Sequence, residues 1–321
     1  MNKLPQKVAR EIEAVPQLDA FMASFLEAQD VRDSSKDTYR KGLKQFLLWL
    51  KGTGIAAPSR QTILDYKNAI KEKGLSSYTV SAYIVIVRKF FDWLESTRGL
   101  PNIARGIKGA KRARGFRKDP LTLPQVKELL SSIERINVIG QRDYALINLL
   151  IRTGLRTVEV IQANTEDIRQ QGGEALFYIR GKGRDEKDEF VVLTPETLKP
   201  IHEYLKARGN GKKDVPLFES LSDRNLGGRL TTRTLRNIVK GRLRAIGIEN
   251  DRLTAHSLRH TAVTLALQAG ASVQEAQAMA RHANINTTLI YSHNIDRVRD
   301  APERKIDVLL SDAKPADGIR R

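Results

Sequence analysis

The sequence contains no cysteine and no long apolar run, and each absence narrows what the protein can be. Without cysteine there are no disulfides and no thiolate metal ligands, which fits an intracellular protein. No run of roughly 18 apolar residues occurs, so no transmembrane helix is expected. The opening stretch, MNKLPQKVAREIEAVPQLD, also lacks the apolar segment of a secretory signal. We therefore expect a cytoplasmic protein without a membrane partner.

Acidic residues are scarce relative to basic ones. Lys and Arg number 55 against 37 Asp and Glu, which leaves a formal charge of +18 on 321 residues. An excess of this size favours a polyanionic partner, with nucleic acid as the first choice. A basic protein that binds no polyanion is the plainer alternative. A membrane surface fits less well, because the sequence has no strongly basic amphipathic helix with a broad apolar face.

Four helices are predicted between residues 15 and 96. In SSKDTYRKGLKQFLLWLKGTG, apolar residues at helical spacing form one stripe: Tyr39, Leu43, Phe46, Leu47 and Leu50. The run SSYTVSAYIVIVRKFFDWLES repeats this pattern, and shorter helices fit residues 18–28 and 60–73. Because the polar faces carry Lys and Arg, residues 15–99 are expected to form a helical DNA-binding domain. Residues 1–14 would be an N-terminal extension.

The helical pattern stops in LPNIARGIKGAKRARGFRKDP, residues 100–120. This stretch combines glycine, proline and like charges without apolar periodicity, which predicts a flexible basic linker over residues 100–119. Its cations would suit contact with a phosphate backbone, whereas a solvated hinge that contacts nothing is the alternative. The candidate DNA-binding residues are Lys108, Lys111, Arg112, Arg114, Arg117 and Lys118.

A second domain is predicted over residues 120–310. TLPQVKELLSSI and QRDYALINLLIRTG have helical patterns, and Thr122 with Gln125 resembles a capping box. The runs ALFYIR and DEFVVLT, joined by GKGRDEK, predict a β hairpin. Helices are expected from Pro195 onward, and residues 311–321 are expected to be a disordered tail. The fold class is therefore mainly α with a small β hairpin or sheet, in two domains.

The stretch HSLRHTAVT, residues 256–264, places two histidines and an arginine in little more than one helical turn. A zinc site at His256 and His260 is disfavoured, because a zincin helix has Glu directly after the first His and this chain has Ser257. His256 and Arg259 share a helix face, and an imidazole beside a guanidinium suits a phosphate group. Ordinary helix packing is the alternative.

Further residues that suit a phosphate site lie in three other stretches. In IRTGLRTVEV an apolar helix ends at a glycine, Arg156 follows, and Glu159 is placed to hold its guanidinium. Lys182 lies at the tip of the predicted hairpin, and MARHANINTTLIYSHN carries His282 and Tyr291. Taken singly, a tyrosine at helical spacing is usually a core residue and a hairpin lysine is usually solvated.

The order of these motifs resembles that of the tyrosine recombinases, the integrases and Xer-like site-specific DNA recombinases. TGLR with the glutamate that follows, GKG on a hairpin, HSLRH and HANINTTLIY match, and the resemblance covers residues 15–310. It implies a helical core-binding domain and an α+β catalytic domain that form a C-shaped clamp around duplex DNA. One departure is Ala280-Arg281, where the family usually has Leu-Gly; it adds a cation beside His282.

The resemblance also implies a role for each matching residue. Tyr291 would attack a scissile DNA phosphate to leave a 3′-phosphotyrosine and a free 5′-hydroxyl, while Arg156 and Arg259 bind the non-bridging oxygens. The other roles are proton transfer for His256, a hydrogen bond to phosphate for His282, general acid for Lys182 and support for Glu159. Exchanging one phosphate ester for another is nearly isoenergetic, so no cofactor is expected. The sequence also lacks a Walker A loop and a carboxylate cluster for metals.

The expected substrate is a double-stranded DNA recombination site, and the expected assembly is a homotetramer that exchanges strands through a Holliday junction. The C-terminal stretch DRVRDAPERKIDVLL, with Ile306, Leu309 and Leu310 on one stripe, would dock on a neighbouring protomer or pack on its own domain. Accessory DNA-bending proteins and a nucleoid location fit an integrase of a mobile element. Three alternatives remain: a type IB topoisomerase, a DNA-binding regulator without catalysis, and a ribonuclease using two histidines and a lysine.

Overall fold

The computed structural model describes residues 15–55, 58–111, 119–181, 186–209, 214–299 and 301–311. Side chains are described from residue 21 to residue 293 and again from residue 301 within these ranges. The chain divides into two compact units, Met1–Arg114 and Gly115–Arg321. Several predictions fall outside the described residues: the extension over residues 1–14, the tail from residue 312, and the linker cations Arg112, Arg114, Arg117 and Lys118.

The first unit contains the four helices that the apolar stripes predict. They are α1 (Val15–Glu27), α2 (Asp33–Gly52), α3 (Arg60–Glu72) and α4 (Ser77–Arg98). The stripe of α2 is buried at Leu43, Phe46 and Leu50, and Phe46 meets the ring of Tyr66 edge-on at 5.0 Å between centroids. Such aromatic contacts add to the free energy of burial. A single apolar core therefore joins the helices of this unit.

Residues 100–111 are not the flexible linker that their composition predicts. Ile103 and Ile107 are buried in the core of the first unit. The ammonium group of Lys67 donates a hydrogen bond to the carbonyl of Lys108 at 2.7 Å. A few apolar side chains are enough to attach an irregular segment to a helical bundle. Because these side chains have no helical spacing, apolar periodicity does not predict the attachment. Lys108 and Lys111 are exposed.

The second unit is built around one buried helix. Its helices are α5 (Leu123–Ser131), α6 (Val138–Thr153), α7 (Thr157–Gln162), α8 (Pro195–Arg208), α9 (Thr232–Ala245), α10 (Ala255–Gln268), α11 (Val273–Ala280), α12 (Asn286–Arg299) and α13 (Pro302–Ser311). Residues 145–151 of α6 are all buried, as expected of a helix that is covered on every side. The capping box of Thr122 and Gln125 at the start of α5 is present. None of the described helices is both long and apolar enough to cross a membrane.

A three-stranded antiparallel sheet lies between α7 and α8 in the chain. Its strands are β1 (Ile168–Gln171), β2 (Glu174–Ile179) and β3 (Glu189–Leu193), in that order across the sheet. The predicted hairpin corresponds to β2 and β3, in which Phe177 pairs with Val191. β1 is not predicted from the sequence, because IRQQ has a single apolar residue and no alternation. Residues 182–185 at the hairpin tip, Lys182 among them, lie outside the described ranges.

A small apolar cluster, separate from the main core, packs together three helices, two of which carry His256, Arg259 and Tyr291. It consists of Val263, Ala276, Ala280 and Tyr291, with Leu267 and Met279 packed against it. These side chains come from α10, α11 and α12. The cluster fixes the helix that bears Tyr291 against the helix that bears the HSLRH motif.

Candidate active site

Arg156 begins α7 immediately after the turn that ends α6. That turn needs glycine: Gly154 has a φ of 62°, and an added Cβ would lie 3.4 Å from the Cβ of Ala262. The backbone N–H of Arg156 donates to Glu159 Oε2 at 2.8 Å, and its Nη1 donates to Oε1 at 2.6 Å. The carboxylate of Glu159 is 2% exposed, whereas the side chain of Arg156 is 27% exposed. A buried acid therefore anchors a guanidinium that still reaches solvent.

Arg259 lies on α10 and is 3% exposed. Its Nη1 donates to the carbonyl of Gly154 at 2.5 Å, and its Nη2 donates to the carbonyl of Ala280. Burial, followed by the nearby charges of Arg156 and Arg281, lowers the pKa of Arg259 to about 10. The guanidinium is still protonated at neutral pH, so the site contains a buried cation held by main-chain carbonyls.

The turn that follows α11 brings the two arginines together. The carbonyl of Ala280 accepts from Arg259, and the carbonyl of the next residue, Arg281, accepts from Nη2 of Arg156 at 3.1 Å. Two guanidiniums from stretches about a hundred residues apart in sequence are therefore oriented by adjacent peptide groups. Paired guanidiniums of this kind suit the non-bridging oxygens of a phosphate.

Tyr291 lies on α12 beside these cations and is 4% exposed. Its hydroxyl is hydrogen-bonded to Nδ1 of His260, and the two ring centroids are 5.4 Å apart. The ring of His282 also stacks on Tyr291, with ring centroids 6.2 Å apart and an angle of 17° between the ring planes. Burial raises the pKa of Tyr291 to about 12, although the charge of Arg259 acts in the opposite direction. The phenol is therefore neutral at pH 7 and needs a base or local positive charge to become a nucleophile.

Three histidine rings lie near the phenol: those of His260 and His282 contact it, and that of His256 contacts His260. His256 is exposed in the first turn of α10, and its ring meets that of His260 edge-on at 4.7 Å. The pKa values of His260 and His282 are both lowered to about 4, chiefly by burial and then by neighbouring positive groups. Both rings are therefore neutral at pH 7. Nδ1 of His282 is 2.8 Å from the hydroxyl of Thr288, which is fully buried.

The structure thus brings together most of the residues that the motifs single out: Arg156, Glu159, His256, Arg259, His282 and Tyr291. Lys182 lies outside the described residues, so its place in the site stays a prediction. In the described part of the chain, no group of three or more His, Asp or Glu side chains is arranged to hold a metal ion.

The motifs do not predict the contacts of three further residues of the site. The sequence suggests His260 only as a metal ligand, yet it contacts the phenol. Thr288 belongs to none of the motifs, although it precedes Tyr291 by three residues and so shares its helix face. The sequence shows Arg281 as an added cation, but not its contact with Glu159 at 2.8 Å.

Two family models match the chain. The phage integrase family matches residues 120–297, and the phage integrase N-terminal SAM-like domain matches residues 18–98. The first of these alone spans more than half of the chain and contains every residue of the site described above.

Similar proteins agree with this assignment. Tyrosine recombinase XerD of Listeria monocytogenes is 28% identical over 284 residues, 86% of this chain and 93% of the relative. Tyrosine recombinase XerC of Caldanaerobacter subterraneus is 37% identical over 185 residues, which cover 56% of this chain and 49% of the relative.

Solved structures share the fold. XerH site-specific recombinase bound to palindromic difH substrate, in a post-cleavage complex, has a TM-score of 0.71 at 21% identity, covering 90% of this chain and 85% of that chain. The Tn1549 transposon integrase in complex with transposon right end DNA has a TM-score of 0.65 at 19% identity, covering 89% of this chain and 98% of that chain. The chain belongs to the phage integrase family and is a tyrosine recombinase, an enzyme that cleaves and rejoins DNA.

Proposed function

We propose that the protein is a site-specific recombinase of the integrase type with Tyr291 as its nucleophile. The phenolic oxygen of Tyr291 forms a bond to a scissile phosphorus, and the bond from phosphorus to the 5′-oxygen breaks. The products are a 3′-phosphotyrosine and a free 5′-hydroxyl, and the reverse reaction joins a new strand. The observation that supports this proposal is the convergence of Tyr291, Arg156 and Arg259 from three separate stretches of the chain.

The two arginines stabilise the charge that develops on the phosphate. Fixed cations aimed at developing charge are usually the largest contribution to catalysis. Arg156 keeps part of its guanidinium exposed, so it reaches a phosphate oxygen while Glu159 holds it from behind. Arg259 is already oriented by carbonyls before any substrate arrives, so little reorganisation is needed in the transition state.

The remaining side chains move or hold protons. His256 assists removal of the phenolic proton, for which its exposed ring close to His260 is well placed. Nδ1 of His282 is hydrogen-bonded to the hydroxyl of Thr288. When Nδ1 accepts this hydrogen bond, Nε2 carries the hydrogen and donates a hydrogen bond to a phosphate oxygen. Lys182 protonates the departing 5′-oxygen. In the free protein the phenol is hydrogen-bonded to Nδ1 of His260.

The partner is double-stranded DNA, in line with the charge of +18 and with relatives solved on recombination-site DNA. Lys108, Lys111 and the basic residues that follow contact the phosphate backbone. We place the active form in a homotetramer on two synapsed sites, which exchanges strands through a Holliday junction at the nucleoid, with DNA-bending proteins as accessory partners.

The C-terminal helix α13 supports such an assembly. Its apolar side chains are exposed in the described structure, with Leu309 at 73% and Leu310 at 71%. We assign this face to contact with a neighbouring protomer, because burial against a second copy removes these side chains from water.

The proposal is tested by trapping the covalent intermediate. Genomic DNA of the source organism, nicked so that the cleaved strand end diffuses away, is incubated with the protein, denatured and digested with nuclease. Mass spectrometry should find a nucleotide on the peptide that contains Tyr291. Tyr291→Phe should give no adduct, whereas Tyr144→Phe, a matched change at a partly buried tyrosine of the same unit, should react like the wild type.

The same experiment separates the alternatives. An adduct that survives Tyr291→Phe would refute the assignment, and no adduct with the wild type would favour a regulator without catalysis. A ribonuclease would cleave RNA equally well with Tyr291→Phe. Relaxation of a supercoiled plasmid of unrelated sequence by catalytic amounts of protein would favour a type IB topoisomerase.

A further inference from the structure

Arg281 has a backbone conformation that side chains rarely adopt. Its φ is 52° and its ψ is 51°, and among the non-glycine residues that the structure describes it alone has a positive φ. It ends α11, and the N–H of His282 donates to the carbonyl of Gln277 at 3.1 Å, as in a helix end of the Schellman type. Glycine takes this conformation without strain, whereas arginine does not. A compensating contact is therefore expected.

The side chain of Arg281 supplies several contacts. It is 9% exposed, and its Nη2 donates to Glu159 Oε2 at 2.8 Å. Its Nη1 donates to the carbonyl of Met279 at 2.8 Å, and its Nε lies 3.6 Å from a carboxylate oxygen of Glu189 on β3. One guanidinium thus connects α7, the end of α11 and strand β3.

Glu159 is consequently shared between two guanidiniums. Arg156 binds Oε1 and, through its backbone N–H, Oε2, while Arg281 binds Oε2 as well. With glycine in place of Arg281, the carboxylate would face Arg156 alone and would cancel more of its charge. With Arg281 present, two cations share one anion, and Arg156 retains more of its charge for an incoming anion.

Arg281 also fixes the peptide groups that orient both arginines. The carbonyl of Ala280 accepts from Arg259 and the carbonyl of Arg281 accepts from Arg156. Because the guanidinium of Arg281 is hydrogen-bonded to Glu159 on α7, it restrains the turn that contains these two carbonyls. The same residue thereby acts on the charge and on the placement of both guanidiniums.

We propose that Arg281 is a positioning residue of DNA cleavage, which acts through Glu159 and the turn at residues 280–281 to hold Arg156 and Arg259 against the scissile phosphodiester. The inference rests on the proposed function, because it assumes that these two arginines bind that phosphate.

The test compares substitutions of Arg281 in single-turnover cleavage of the nicked DNA at saturating concentration. Arg281→Gly removes the guanidinium and relieves the backbone. Its cleavage rate should fall about tenfold or more, with DNA affinity within about threefold of wild type and no decrease in the unfolding midpoint. Arg281→Ala should reduce the cleavage rate by as much as Arg281→Gly does. It should also lower the unfolding midpoint, because it keeps the strained backbone without the ion pair. Arg281→Lys should restore part of the rate.

A matched control comes from Arg242, which pairs with Asp143 at 2.7 Å elsewhere in the unit. Arg242→Lys makes the same exchange of guanidinium for ammonium and should leave the cleavage rate unchanged. Arg281→Gly that cleaves as fast as wild type would overturn the inference and leave the proposed function intact. Equal rate losses in Arg242→Lys and Arg281→Lys would also overturn it, because the loss would then follow from exchanging any ion-paired arginine of this unit.

A double-mutant cycle tests the route through Glu159. Glu159→Gln should slow cleavage, and adding Arg281→Gly to it should cause little further loss, because the shared partner is already changed. Rate losses that multiply would show that Arg281 does not act through Glu159 and would overturn the inference. Wild-type protein that forms no adduct at all would instead refute the proposed function, and the inference with it.

Discussion

Replacing His260 with asparagine should make the stability of the second unit less sensitive to acid. The pKa of the His260 ring is lowered to about 4 in the folded protein, mainly by burial and then by His256 and Arg259, against an ordinary value of 6.5. The folded protein therefore binds this proton more weakly than the unfolded chain does. The contribution of neutral His260 to the free energy of unfolding is fully present above pH 6.5 and is lost as the pH falls towards 4.

The difference between these two pKa values corresponds to about 3 kcal/mol when it is fully expressed. At pH 4.5 the unfolded chain is almost fully protonated at this position and the folded protein only partly so, which gives a loss of about 2 kcal/mol relative to pH 7.5. The side-chain carbonyl of asparagine lies near the place of Nδ1 and accepts the hydrogen bond from Tyr291 without titrating. His260→Asn should therefore lose about 2 kcal/mol less than wild type over this range.

The assay is urea denaturation at the two pH values, followed by circular dichroism. The protein has two tryptophans, Trp49 and Trp93, and both belong to the first unit. Their fluorescence follows that unit alone and should respond to pH identically in both proteins. The reasoning is refuted if wild type and His260→Asn lose the same free energy of unfolding between pH 7.5 and 4.5.

Two further predictions concern surfaces rather than the site. Removing the charges of Lys111, Arg112 and Arg114 should reduce the slope of log affinity for DNA against log salt concentration by about 3 if each contacts a phosphate; an unchanged slope would mean that these residues stay off the backbone. Aspartate at Leu309 and Leu310 should leave the stability of the monomer within about 0.5 kcal/mol, because both side chains are exposed, but should prevent assembly on DNA in analytical ultracentrifugation. A tetramer that forms regardless would exclude a role for α13.

Much of the fold is readable from apolar periodicity, because helices such as α2 and α4 bury one apolar stripe. The stripe from Tyr39 to Leu50 predicts α2, and the runs ALFYIR and DEFVVLT predict β2 and β3. β1 has no such pattern, since its pairing with β2 uses backbone groups that any residue supplies. The attachment of residues 100–111 was missed for a related reason, because Ile103 and Ile107 belong to no regular element.

The composition of the site is readable from motif order, but its contacts are not. Sequence spacing places Glu159 within reach of Arg156, because three residues separate them on one helical turn. It does not reveal that Arg281, 122 residues further on, binds the same carboxylate. Nor does it show that His260 rather than His256 contacts Tyr291. Such pairings are set by how α10, α11 and α12 pack, which depends on tertiary contacts.

Arg259 and Arg156 are oriented in part by carbonyls of Gly154, Ala280 and Arg281, which are dipoles without net charge. A dipole orients a cation without neutralising its charge. The electrostatic potential at Arg156 and Arg259 therefore stays positive in the free protein, and their mutual repulsion opposes folding. Among the described residues Arg259 is hydrogen-bonded to two carbonyls and to no carboxylate, so a phosphate that enters the site displaces none of these side chains. Under the proposed function, a DNA phosphate bound between the two guanidiniums relieves their mutual repulsion, which would link substrate binding thermodynamically to the folding of this unit.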